Sequence, residues 1–488
     1  EWSIGTERDS MDLESFRKHG HELVDWVADY MESVEQYPVM SRALPGEISA
    51  RLPQEPPSKG ESMERILKDF EEIVIPGVPH WQHPGFFAYF PANTSGPSIL
   101  AELLTSALGI NAMVWQTSPA ATELEERVTE WLRIMLRLPD EFRGVIQDTA
   151  STATICALLC AREQAAGFGI NEKGFSSWPG KKALRLYTSE EAHSSVEKGA
   201  KIAGFGAENV VRVAVDSKFA MDPAALEEAI ARDEAAGCKP CCICATVGTT
   251  SSTAIDPLNE IGEIARTRGL WFHIDAALAG SAAILPEKRS MLDGVELADS
   301  FVFNPHKWLF TNFDCSAFFV KDARTLIRVF SIDPEYLKTG RDSEVVNFRD
   351  WGIQLGRRFR ALKLWFVIRS FGVEGLRERL RAHLALAQDF RSWVEKDPDF
   401  ELLAPVRVNT VCFRYRPAEQ ELTEEKLDAL NKRIMDEINA DGTIYMTHTR
   451  LGGRFSLRVS IGQTYTRSHH VENAWRIIRR KAASISES

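Results

Sequence analysis

From about residue 90 to 370 the chain alternates short apolar runs with stretches of helical spacing. Strand-like runs at 145–147, 184–188, 210–215, 241–247, 270–274 and 301–303 are interleaved with helical patterns at 152–163, 194–203, 224–235 and 261–268. Runs that are apolar at nearly every position suit strands covered on both faces, so this region predicts a mostly parallel sheet with helices on both sides. Before it, Phe16, His19, Leu23, Val24, Val27, Tyr30 and Met31 recur at helical spacing, a Pro-rich stretch follows at 52–57, and Ile66, Phe70 and Ile73 resume the spacing. Such an arm lacks a core of its own and is expected to pack on another surface, such as a partner subunit's. After about 372, a helix at 375–396 leads into an α+β tail with strands at 410–415 and 455–459. The expected division is an N-terminal helical segment (1–88), a large α/β domain (89–373) and a small C-terminal α+β domain (374–488).

At 488 residues the chain exceeds what one core fills, in line with that division. Its 44% apolar and 26% charged residues are ordinary for a globular protein. A formal net charge of −11 argues against nucleic acid or an anionic membrane as the main partner. No apolar stretch approaches the roughly 20 residues that span a bilayer, and the first residues do not read as a signal peptide, so a cytoplasmic protein is expected. Eight cysteines include the C-x-x-C Cys238-Lys239-Pro240-Cys241. No second ligand pair at zinc spacing accompanies it, and the run continues as Cys-Ile-Cys-Ala-Thr-Val. These are read as core thiols in a reducing compartment, with no metal expected.

Ligands of open α/β sheets sit beyond the carboxyl ends of the strands, where this chain places Gln147-Asp148-Thr149-Ala150-Ser151, Glu190-Glu191-Ala192-His193, Gly248-Thr249-Thr250, Asp275-Ala276-Ala277 and Asn304-Pro305-His306-Lys307. Two apolar strands thus end in a lone carboxylate, Asp275, and a lone amine, Lys307. That pair is what pyridoxal 5'-phosphate (PLP) requires: the amine forms a Schiff base with the aldehyde, and the carboxylate keeps the pyridine nitrogen protonated. Thr149-Ala150-Ser151 open a helix whose free N–H groups could hold the phosphate, although taken alone Ser151 reads as a plain cap. His193 by itself reads as a cap-region histidine and gains weight only from the other strand ends, as a ring able to stack on the cofactor. Thr250 is either a further cofactor contact or a turn hydroxyl.

The motifs Asn304-Pro305-His306-Lys307-Trp308, His273-Ile274-Asp275-Ala276-Ala277, Ala192-His193-Ser194-Ser195-Val196-Glu197-Lys198 and Phe86-Phe87-Ala88-Tyr89-Phe90-Pro91, in this order, resemble the aromatic-L-amino-acid decarboxylases, the group II PLP decarboxylases. The resemblance covers about 10–480. It implies a fold-type I homodimer with active sites at the subunit interface and the N-terminal segment packed on the partner. By the same resemblance Lys307 holds the cofactor aldehyde, Asp275 pairs with the ring nitrogen and His193 stacks on the ring. Thr149, Ala150, Ser151, Asn304 and His306 lie near the phosphate, and Thr250 and Ala277 in the cofactor site. It further implies that Tyr336, in a polar loop following Ser331-Ile332-Asp333-Pro334, is the catalytic tyrosine that completes decarboxylation; members with phenylalanine there resemble aldehyde synthases. Trp81, Tyr89, Phe90, Pro91, Met113 and Gly356 would line the substrate pocket, some of them from the neighbouring subunit. By that resemblance glycine at 356, where members acting on phenolic or imidazole substrates tend to carry serine, leaves room for an indole or catechol and favours tryptophan, 5-hydroxytryptophan or DOPA over histidine, with tyrosine and phenylalanine as further possible substrates. Asp148, Ala92, Met113 and Leu278 depart from the family pattern and bear on substrate choice. An aromatic aldehyde synthase on the same scaffold, or a non-catalytic interaction protein retaining the fold, are the alternatives; Tyr336 speaks against the first, and Lys307, Asp275 and His193 against the second.

Overall fold

The structure, a computed structural model, describes residues 11–178, 182–332, 340–341 and 344–486. Its central sheet has seven strands: β1 (Arg143–Gln147), β2 (Leu184–Ser189), β3 (Val210–Val213), β4 (Lys239–Thr246), β5 (Trp271–Asp275), β6 (Ser300–Phe303) and β7 (Ser316–Val320). They are ordered β1-β7-β6-β5-β4-β2-β3. Strand β7 runs antiparallel between β1 and β6, and the other pairings are parallel. The sequence reading anticipates six of these strands and omits β7.

Side chains of β4, β5 and β6 alternate between two cores, which is why the runs are apolar throughout. Ile243, Phe272, Ile274, Phe301 and Phe303 enter one core with the helix Pro119–Leu136, whereas Cys242, Cys244, Trp271 and Val302 enter the other with the helix Ala150–Ala165. The cysteines of β4 are therefore packing groups. Arg185 faces Pro240 but Leu186 faces Cys242, so Cys241 is an extra residue in that register and shares the second core with Cys242. Burial pushes the Cys241 thiol up to about 12.

The C-terminal part builds an antiparallel sheet, β10-β11-β9-β8, from β8 (Phe400–Leu402), β9 (Thr410–Tyr415), β10 (Thr447–Leu451) and β11 (Arg454–Ser460). Helices Glu424–Asp441 and Ser468–Ser486 supply Ile434, Ile438, Val471 and Ile478 to its core. The helix expected from 375 begins earlier, as Arg360–Lys396, and breaks at Gly372, whose φ of 65° suits a residue without a side chain.

The N-terminal helix Leu13–Ser33 is capped by Asp12, whose carboxylate accepts the Ser15 N–H at 2.7 Å. Trp26 stacks on Tyr30 and meets Phe70 edge-on, while Leu13, Phe16 and Val24 stay exposed. The arm then joins the C-terminal part through its backbone. Phe87 N–H donates to the Tyr445 carbonyl at 2.8 Å, Tyr445 N–H to Gly85 at 3.0 Å, and Ser460 N–H to Phe87 at 2.9 Å. Among the described residues no helix is long and apolar enough to cross a membrane.

Candidate active site

Strands β5 and β6 are neighbours, with Asp275 opposite Val302, so the two polar strand ends open into one space. Behind β6, Asn304 precedes a single helical turn, Pro305–Trp308, that carries Lys307. The flanking side chains pin this turn. His306 Nδ1 accepts the Cys315 N–H at 2.9 Å, and the Trp308 indole N–H donates to His383 Nδ1 at 3.0 Å. Asn304 Oδ1 accepts the Ser316 hydroxyl at 2.6 Å. Burial lowers the Lys307 amine below its ordinary value, Asp275 opposes that shift and Arg458 adds to it. The amine also sits 5.1 Å from the centre of the Phe90 ring.

A cavity of about 200 Å³ is lined by Lys307, Asp275, Ala277, His193, Thr250, Asn304, His306 and Phe90, together with Thr149, Ala150 and Ser151. One space thus gathers all the cofactor candidates named from the sequence. Asp275 is buried, and one of its oxygens accepts the Ala277 N–H at 2.9 Å. A buried carboxylate of this kind calls for a cation, and among the described residues it forms no ion pair. Burial holds His306 down to about 3, so its ring is neutral; with Nδ1 accepting, its hydrogen lies on Nε2. Thr149 caps the helix Ala150–Ala165 by accepting the Thr152 N–H, which leaves the Ala150 and Ser151 N–H groups at the helix start without intrahelical partners. An amine, a lone buried carboxylate and a helix N-terminus around one cavity fit the aldehyde, ring nitrogen and phosphate of PLP.

Asp148 does not line this cavity. One of its oxygens accepts the Thr149 N–H at 2.6 Å, and the other accepts the Gln354 side-chain N–H at 3.3 Å. The carboxylate therefore takes up a donor at the cradle's edge while facing the 351–357 segment. Leu278 is buried in the cavity wall, and Ala92 lines the wider space outside it.

That outer space, about 720 Å³, holds Trp81, Tyr89, Phe90 and Pro91. Trp81 stacks with Tyr89 at 5.7 Å between ring centres. Two residues absent from the sequence reading complete it. Tyr445 packs against Phe86 and Tyr89, and Arg458 of β11 lies 4.6 Å from the centre of the Phe90 ring. Arg458 is buried and donates to the carbonyls of Ser251 at 2.9 Å, Thr250 at 3.0 Å and Tyr89. Arg458 was hidden in the sequence because 454–460 alternates polar and apolar residues, Arg-Phe-Ser-Leu-Arg-Val-Ser, the pattern of a strand with one solvated face. Tyr445 carried no local signal.

Met113 and Gly356 line neither cavity of their own chain. They lie together in a second cluster, in which Asn111 Oδ1 accepts the Arg357 N–H at 2.9 Å and Arg357 O accepts the Ala112 N–H at 2.9 Å. Tyr336 lies outside the described residues.

Residues 45–416 match the pyridoxal-dependent decarboxylase conserved domain. The chain is 44% identical to phenylacetaldehyde synthase of Arabidopsis thaliana, with 97% of each chain covered. It is also 44% identical to tryptophan decarboxylase 2 of Oryza sativa subsp. japonica, over 97% of this chain and 96% of that one. A crystal structure of Oryza sativa TDC with PLP and tryptamine superposes with a TM-score of 0.94 at 38% identity, covering 98% of this chain and 99% of the other. Sheet order, strand-end chemistry and these likenesses define a PLP enzyme of fold type I. Within that class the chain belongs to the pyridoxal-dependent decarboxylase family.

Proposed function

We propose that the protein removes CO2 from an aromatic L-amino acid to give the arylalkylamine, with tryptophan, 5-hydroxytryptophan or DOPA as favoured substrates. The observation that carries this reading is the convergence of Lys307, Asp275, His193 and the helix start at Thr149–Ser151 on one cavity that opens into an aromatic one. When bound, PLP supplies an electron sink for the pair left behind as CO2 departs. Lys307, with its lowered basicity, is suited to hold the aldehyde and yield it to the substrate amine. Asp275 would pair with the ring nitrogen and hold a proton there, which would sustain that sink. Asn304, His306, Ala150 and Ser151 would donate to the phosphate, and Thr250 and Ala277 would border the ring.

Arg458 and His193 are the groups that meet the substrate carboxylate, while Trp81, Tyr89, Phe90, Pro91 and Tyr445 surround its side chain. Desolvating an aromatic ring against such a wall supplies binding, and aliphatic amino acids forfeit it. The cluster of Met113 and Gly356 serves the other subunit of a homodimer in this reading. Support comes from exposed Leu100, Leu103, Leu104 and Leu108 on the helix Gly96–Leu108 and exposed Leu13 and Phe16 on the arm, faces that need a cover. The division at 88 and 373 belongs to the same proposal, as does a cytoplasmic location, which suits eight free cysteines.

The deciding experiment supplies PLP and a panel of L-aromatic amino acids, then measures amine and CO2. Equal release of both from tryptophan or DOPA is the expected result. No CO2 from any aromatic amino acid by PLP-loaded protein would end the proposal. Because one relative is a phenylacetaldehyde synthase, ammonia and hydrogen peroxide are measured alongside; their appearance in proportion to CO2 would establish the oxidative alternative. Loss of the visible cofactor absorbance in Lys307→Ala separates either enzyme from a non-catalytic protein.

A further inference from the structure

Both neighbours of His193 Nδ1 come from one residue, Ser195. The Ser195 backbone N–H reaches His193 Nδ1 at 3.1 Å, and the Ser195 hydroxyl lies 2.8 Å from the same nitrogen. A backbone N–H only donates, so Nδ1 has to present its lone pair, and the hydroxyl joins as a second donor. A neutral imidazole with a bare Nδ1 carries its hydrogen on Nε2. Ser195 is buried in the helix Ser195–Ile202, His193 is exposed at the cavity, and both line the space around Lys307.

We propose that Ser195 is a positioning residue that locks His193 as a neutral Nε2–H imidazole, a hydrogen-bond donor to the carboxylate of the incoming amino acid and not a proton-transfer group. Nε2 cannot act as a base because its site is filled, and giving up that hydrogen would leave an imidazolate. Protonating Nδ1 would break the bond from the Ser195 N–H and force the Ser195 hydroxyl to turn from donor to acceptor. Delivery of a proton to the carbon that loses CO2 then falls to a different group, for which the sequence offers Tyr336.

The surroundings act in the same sense. Although part of the His193 side chain faces open space, desolvation of the ring by the cavity wall lowers it below its ordinary value; Asp275 of β5 opposes this, while Lys307 beyond β6 and Lys198 on the adjoining helix reinforce it. His306 and Arg458, which border the same cavities, are neutral and cationic respectively, so neither favours a charged His193. The inference rests on the reading of this cavity as the reaction site.

The test uses PLP-loaded enzyme with 15N-labelled histidine rings, His193 being assigned by its loss in His193→Gln. Near neutral pH the expected spectrum has a bare Nδ1 and a protonated Nε2. Ser195→Ala is expected to raise the His193 titration midpoint by about one unit, because one of two donors to Nδ1 is lost. Its kcat ratio between pH 8 and pH 6 should grow, by at most about tenfold for a shift of one unit, and Ser195→Thr, which keeps a hydroxyl, should restore both values. A protonated Nδ1 in the wild-type protein, or one titration midpoint shared by wild type and Ser195→Ala, would overturn the inference. The ring spectrum is read without turnover, so a failure to decarboxylate aromatic amino acids counts against the proposed function alone.

Discussion

A carboxylate beside a phosphate cradle repels the group the cradle is built to hold. Asp148 lessens the conflict by binding the Thr149 N–H and turning its second oxygen to Gln354, yet its charge stays next to the first N–H groups of the helix Ala150–Ala165. Asp148→Asn keeps an acceptor for Thr149 and removes the charge. The PLP dissociation constant, measured by fluorescence titration of the apoprotein, is expected to fall by about twofold to fivefold, the size of a partly screened charge contact. An unchanged or weakened affinity would show that the carboxylate serves the cradle. The second residue-scale expectation concerns Tyr336, a hydroxyl donor in the family resemblance. Tyr336→Phe should divert turnover from amine to aldehyde, with peroxide and ammonia formed in step. Undiminished amine without peroxide would remove Tyr336 from that role.

Between residues and domains, the 351–357 segment behaves as a fitted part. Arg357 donates to Glu125 at 2.5 Å and to the Ile146 carbonyl at 3.0 Å, Glu125 in turn accepts the Ile146 N–H at 2.8 Å, and Gln147 holds the Trp351 carbonyl at 3.1 Å. The outer edge of β1 is thereby closed by a buried ion pair, and Gly356 is carried on a rigid mount. A Cβ at 356 meets only Asn111 at 3.8 Å, so Gly356→Ser is accommodated without strain in its own chain. Its effect should therefore fall on selectivity: kcat/KM for tryptophan relative to tyrosine is expected to drop by about tenfold, within the range that one pocket group commands. An unaltered ratio would exclude Gly356 from the pocket.

At the scale of the whole molecule, buried histidines tie stability to pH. Burial holds His83, His273 and His383 down to about 4 and His306 to about 3. Each folded-state value lies below the ordinary 6.5, so the unfolded chain takes up protons first. Their contribution is complete above about pH 6.5 and is lost as pH falls toward 4, by up to about 3 kcal/mol apiece. Urea midpoints should fall steeply between pH 7 and pH 4.5, and a flat profile would contradict these assignments. The sequence made much of this architecture legible. Strand β5 is largely apolar and ends in its one carboxylate, Asp275, and Lys307 follows four residues after the end of β6, so fold class and cofactor chemistry could be read together. What escaped it depends on distant partners. Strand β7 is as apolar as its neighbours, but nothing local states that it inserts antiparallel between β1 and β6. Arg458 and Tyr445 reach the cavity only because the C-terminal sheet folds against it.

That last arrangement limits how the pocket can be re-engineered. Residues 85–89 are stitched by main-chain bonds to Tyr445 and Ser460, and the Tyr89 carbonyl is gripped by Arg458. Chimeras that trade only the aromatic stretch around Tyr89 between relatives would mismatch that seam, whereas joint transfer of the stretch with 435–460 would carry a whole recognition surface from one scaffold to another.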